Sequence, residues 1–173
     1  MDKIIYVDVG THFGQEYQSI FGSEKRFITK IIRRMIGFYI LRRGEMFPLG
    51  KVSDLLRKRR ELRSNRDRFL SFFVKANASV IQHSDVYKAA DGVFNCALTG
   101  ERKFSLSNLY LANSDQLSQG SSIFLSKHNV SVSDSVPTLG VPATLFFDSL
   151  KNYIESSIGE YSVILRLNCE GAE

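Results

Sequence analysis

The chain is poor in the residues that staple or metallate small proteins. Of its 173 residues two are cysteine, Cys96 and Cys169, and both sit in apolar runs where a reduced, buried thiol is the expected state. That excludes a disulfide scaffold and points to a reducing, cytoplasmic setting. The three histidines, His12, His83 and His128, share no ligand-like spacing, so metal chemistry draws no support from them. No Ser, His and Asp arrangement can be picked out. No apolar run is long enough to span a bilayer, and the opening MDKIIYVDVG lacks the charged and apolar zones of a secretory signal. Internal repeats are absent.

What is present is a core-building chain with uneven charge. Hydrophobic residues make up 43%, enough for one globular domain without a disulfide or metal. The net charge of +5 conceals a segment, residues 25–68, with 15 Lys or Arg against 4 Asp or Glu; it carries +11 and the remainder −6. The chain therefore reads as a single, mildly acidic domain over 1–173 with a basic helical insertion at 25–68.

KIIYVDVG has the near-continuous apolar character of a parallel strand covered on both faces, and THFGQEYQSIFG reads as a turn opening into a helix. Ile28, Ile31, Ile32, Met35, Ile36 and Tyr39 recur at helical spacing with Lys30, Arg33 and Arg34 on other faces, which predicts a basic amphipathic helix over 27–41. FPLG breaks it, and Ser53 is placed to cap a second basic helix beginning SDLLRKRREL. RFLSFFVKANASVI predicts a strand and then a short helix from about Ala78. GVFNCALTG reads as one buried strand, KFSLSNLYLAN as an exposed strand, and NSDQLSQGSS as a loop, while SKHNVSVSDSV has too little periodicity to assign. PATLFFDSLKNYIESSIGEY predicts a short strand and a helix from about Asp148 to a stop at Gly159, before SVILRLN forms the last strand. Strands alternating with helices give an α/β fold with a Rossmann-like, open, mostly parallel sheet.

Three stretches carry candidate chemistry. Asp8, Gly10 and Gly14 spell D-x-G-x-x-x-G at the end of the first strand, where glycine lets backbone pass close to a ligand and the following amides can donate to a carboxylate, ribose or phosphate. A tight turn that binds nothing has the same spelling. At the end of the second strand, where an acidic residue commonly accepts from ribose hydroxyls, stand Lys75 and then Asn77. Asn168 and Glu170 follow the last strand, at the carboxyl end where open parallel sheets bind ligands; a glutamate there can take a proton or cap a helix.

In order, these stretches resemble the FkbM-type methyltransferases, a branch of the class I enzymes that use S-adenosylmethionine. The resemblance rests on IIYVDVGTHFGQE, on FFVKANASVI for F-V-E-x-N-P, on FNCALTG for N-x-A-L, on TLFFDSL for T-L-D-x-L, and on VILRLNCEGAE for L-K-I-D-V-E-G-A-E. It covers residues 3–22 and 69–173 and leaves the basic insertion out. It implies methyl transfer to an oxygen of a sugar, glycan or other small natural product. Asp8, Gly10 and Gly14 are then expected at the methionine end of the cofactor, Lys75 and Asn77 near its ribose, Asn95 and Ala97 near its adenine, and Asn168 and Glu170 at the methyl and its acceptor. Lys75 replaces a glutamate of the family pattern, Asn168 an aspartate and Ala78 a proline. The family also continues past E-G-A-E with a helix and further strands, so the resemblance implies a truncated sheet whose last strand has an open edge and an uncovered apolar face.

Two rival readings are a noncatalytic methyltransferase-like interaction module and a domain for a phosphorylated nucleotide that meets Lys75. The segment 25–68 suits either a helical hairpin that packs on its own domain and turns its charge to solvent, or docking on an anionic membrane surface or acidic partner, which would make the protein peripheral to a membrane; binding to nucleic acid phosphates has no accompanying base-reading motif or aromatic platform.

Overall fold

The structure is a computed structural model that describes residues 2–10, 14–41, 49–112, 121–124, 126 and 130–168. Residues 113–120 of the predicted loop at 113–122, and the residues Cys169, Glu170, Gly171, His12 and His128, lie outside the described residues; Ser122 of that loop forms a bridge with Tyr110. The chain divides into two compact units: Gly14–Asp67, and a unit combining Met1–Phe13 with Arg68–Glu173. The helical unit thus starts ahead of the basic segment, at Gly14.

The larger unit is α/β. Its main sheet is Rossmann-like, open and wholly parallel, built from β1 (Lys3–Val9), β2 (Phe69–Val74), β3 (Gly92–Phe94) and β7 (Tyr161–Leu167) in the order β3-β2-β1-β7. The near-continuous apolar spelling of β1 and β2 follows from burial on both faces. One face presents Ile5, Val7, Val9, Phe72 and Val74 to Phe146, Leu150 and Ile154 of helix α6 (Ala143–Ser157), which recur every four residues and so form one stripe. Burying each such side chain contributes about 1.5–3 kcal/mol. The other face carries Tyr6, Asp8, Ser71 and Phe73; Tyr87 of the short helix α5 (Asp85–Lys88) meets Phe73 edge-on at 5.7 Å. Asp91 secures the sheet between β2 and β3, its Oδ2 accepting from both Ser71 N and Ser71 Oγ.

A second sheet follows the order β4-β6-β5, from β4 (Ala97–Thr99), β5 (Ser105–Ala112) and β6 (Val130–Pro142), with β4 parallel and β5 antiparallel to β6. This corrects the single strand expected across GVFNCALTG: Asn95 and Cys96 carry the chain from one sheet into the other. The unassigned SKHNVSVSDSV segment contributes to the thirteen-residue β6. Another correction concerns PATLFF, which is the end of β6 running directly into α6, so that helix begins at Ala143 rather than near Asp148. The Phe146–Leu150–Ile154 stripe needs a helix of that length to reach across the sheet.

β7 forms an edge of the main sheet. Its outer side pairs with no strand among the described residues, and Val163, Ile164, Leu165 and Leu167 remain about half exposed. A groove of about 280 Å³ runs along β7 and α6, lined by Val163, Leu165, Phe147 and Ile154.

The helical unit holds α1 (Gln15–Phe21), α2 (Glu24–Leu41) and α3 (Leu49–Ser64). Ser53 lies inside α3, its hydroxyl donating to Gly50 O at 2.9 Å, so it is not the expected cap; the helix starts four residues earlier. Arginines do much of the joining. Arg59 is buried, donates to Ser19 O at 2.9 Å and Gly22 O at 2.7 Å, and lies 4.8 Å over the Phe27 ring. Arg63 also donates to Phe21 O and Gly22 O, so both side chains occupy carbonyls that the end of α1 leaves open. Arg66 lies over the rings of Tyr17 and Phe21 and donates to the Tyr17 hydroxyl at 2.6 Å. Part of the basic charge is therefore structural.

Candidate active site at the carboxyl edge of the sheet

In the main sheet, β1, β2 and β3 succeed one another in one direction, whereas β7 lies on the opposite side of β1. The strand order thus reverses between β1 and β7, and the crevice at such a switch is where open parallel sheets take ligands. Three main-chain bonds align the strand ends there. Gly10 N donates to Val74 O, Asn168 N to Val9 O, and Lys75 N to Phe94 O, each at 2.9 Å.

Asp8, next to last in β1, is 0% exposed. Its Oδ1 accepts from Arg166 Nη1 at 2.9 Å and its Oδ2 from the Tyr6 hydroxyl at 3.1 Å, so a buried carboxylate has a cation and a donor. Asp8 and Arg166 are also register partners across β1 and β7, which puts both side chains on one face. Burial, and after it the Asp8 charge, push the Tyr87 phenol above the usual tyrosine range.

Gly10 follows at φ 75, a conformation that a side chain rarely adopts, and it turns the chain at the mouth of the crevice. Gly14, at φ 57, begins the helical unit and precedes α1. Lys75 is half-buried directly after β2. Asn77 is buried and caps α4 (Ala78–Gln82), its Oδ1 accepting from Ser79 N at 3.0 Å. The exposed Asn95 donates through Nδ2 to Lys75 O at 2.8 Å and Ala76 O at 2.9 Å, tying the loop after β2 to the end of β3.

Asp8, Gly10, Lys75, Asn77, Asn95 and Asn168 thus share one edge of the larger unit. Ala97, two residues beyond Asn95, is buried at the start of β4 in the second sheet, opposite Gly140 of β6. Arg166 was not among the residues predicted from the sequence. Its signal is an arginine inside the apolar run VILRL: a cation there needs an anion on a neighbouring strand, and Asp8 is the acidic residue of β1.

Among the described residues no His, Cys, Asp and Glu group suited to a metal occurs, and no helix is long and apolar enough to cross a membrane. No family model matches the chain, nor does any curated protein or solved structure.

Proposed function

We propose that the carboxyl edge of the main sheet binds S-adenosylmethionine and that the chain acts as an FkbM-type methyltransferase on an oxygen of a sugar, glycan or small natural product. The observation that carries this reading is the switch between β1 and β7, with the positive-φ Gly10 two residues beyond the buried Asp8.

The residues present fit an adenosyl group in hydrogen bonding, though with charge altered. Ribose hydroxyls accept as well as donate, so the Lys75 ammonium can hold them where a carboxylate commonly does, and the exposed amide of Asn95 retains an acceptor oxygen beside it. When bound, the cofactor supplies an electrophilic methyl on a sulfonium. Gly10 leaves room for close approach of the backbone. Asp8, with both oxygens engaged, holds Arg166 and shapes the crevice rather than meeting the sulfonium itself. Glu170 takes the role of accepting the acceptor's hydroxyl proton, and holding the two groups in line supplies much of the rate.

The engaged Asp8 and the cation at Lys75 favour one second reading, a noncatalytic module that keeps the fold. Calorimetry separates the two. Saturable heat with S-adenosylmethionine and S-adenosylhomocysteine, and none with NADP, is the expected result. Binding of NADP alone overturns the proposal in favour of a phosphorylated nucleotide, and a folded protein that binds none of the three is the noncatalytic module.

A further inference from the structure

We infer that the helical unit docks on anionic phospholipid bilayers by laying α2 in the headgroup region. The inference is independent of the ligand crevice, which belongs to the other unit. α2 runs 18 residues, about 27 Å, and has two apolar sides. One is used internally: Phe27 meets Arg59, and Ile31 is buried. The other has no partner among the described residues. Ile28, Ile32, Ile36, Tyr39 and Ile40 are between 43% and 69% exposed, and helical spacing gathers them into about a third of the circumference. A stripe of four isoleucines held in water along one helix is more apolar surface than a solvated face requires.

The surroundings specify the occupant. Arg33 borders the stripe and Lys25 lies at its amino-terminal end, both exposed, whereas Glu24 is the only acidic residue of α2. Behind the helix a groove of about 440 Å³ is lined by Phe27, Ile31, Leu55 and Leu62 together with Lys30, Arg34, Lys58 and Arg59, with no acidic residue in the lining. Burial and the neighbouring Arg63 lower the affinity of Arg59 for its proton, in the direction an added anion would reverse. Apolar side chains below a plane of cations match the acyl and phosphate layers of an anionic bilayer, with the amphipathic Tyr39 ring at their boundary. Nucleic acid would satisfy the cations and leave the isoleucines in water. Arg59, Arg63 and Arg66 are committed to internal bonds, so docking relies on Lys25, Arg33, Arg34 and Lys58, whose side chains bond to nothing among the described residues.

The chain has no tryptophan, so Tyr39→Trp introduces a single reporter on an exposed position of the full-length protein. Its emission is expected to shift to the blue with vesicles of phosphatidylcholine and phosphatidylserine, and not with phosphatidylcholine alone or with duplex DNA. Adding Ile32→Glu and Ile36→Glu, both at exposed positions, is expected to weaken vesicle binding at least about tenfold with an unchanged circular dichroism spectrum. Absence of the shift with anionic vesicles overturns the inference. So does vesicle binding that the two glutamates leave intact, because attraction to phosphate alone would then suffice; tighter binding to DNA with the same indifference to the glutamates identifies nucleic acid as the partner.

Discussion

Arg166 of β7 donates to Asp8 of β1 at 2.9 Å across the point where the sheet's strand order reverses. The carboxylate is fully buried and the guanidinium 27% exposed, so the pair is unequal: Asp8 depends on Arg166 more than the reverse. Removing the cation leaves a buried charge with, among the described residues, only the Tyr6 hydroxyl. Arg166→Met is expected to cost about 3 kcal/mol in urea unfolding, and Asp8→Asn in that background to restore much of it. Additive effects of the two changes would show that the contact carries no coupling.

Gly10 tests the turn at the mouth of the crevice. An alanine at φ 75 carries a Cβ against the following carbonyl, and Gly10→Ala is expected to lower stability by about 1–2 kcal/mol. Thermal unfolding measures it. The same substitution made at Gly100, whose surroundings leave the new methyl in open space, is the control and should stay near neutral.

Lys75 governs the charge of the proposed cofactor site. Lys75→Glu adds an acceptor for ribose and an attraction for the sulfonium, and is expected to tighten S-adenosylmethionine about tenfold to a hundredfold by calorimetry. Unchanged or weaker binding would place the cofactor away from the end of β2.

Tyr87 sets an alkaline limit. The unfolded chain releases a tyrosine proton near the ordinary value of 10, whereas the folded chain holds that of Tyr87 above it through burial and the Asp8 charge. The unfolded state therefore binds fewer protons as pH rises, and this group's contribution, intact below that range, declines through it. Urea midpoints between about pH 9 and pH 11 should fall for the native chain and fall less steeply for Tyr87→Phe.

The parts legible in the sequence are those whose spelling follows from burial alone. β1 and β2 have apolar runs because both faces of the parallel sheet are covered there, β7 carries such a run although its residues are about half exposed, and α2 shows its helical period because an apolar stripe and cations alternate around it. Partner choice is not written locally. Asn95–Cys96 changes sheets with a single polar residue in the run, since either sheet accepts the same apolar side chains on each side of it. β6 hides because its middle is solvent-exposed and tolerates Ser and Asp, and the start of α6 hides because Leu145, Phe146 and Phe147 suit a strand as well as a helix. Asp8, Gly10 and Asn77 could be named from their strand-end positions. The bonds of Asp8 to Arg166 and of Gly10 to Val74 depend on register that only the fold sets, whereas Asn77 caps its own helix at Ser79.

The outer side of β7, which pairs with no strand among the described residues, makes this domain a template for strand addition by its own kind. Its seven residues, four of them Val, Ile or Leu, offer alternate amides and carbonyls to an incoming strand, without a proline or lysine as gatekeeper. Light scattering should therefore grow with concentration, and Leu165→Lys, which plants an ammonium on a half-exposed position, should suppress that growth while leaving the hydrogen bonds to β1 in place.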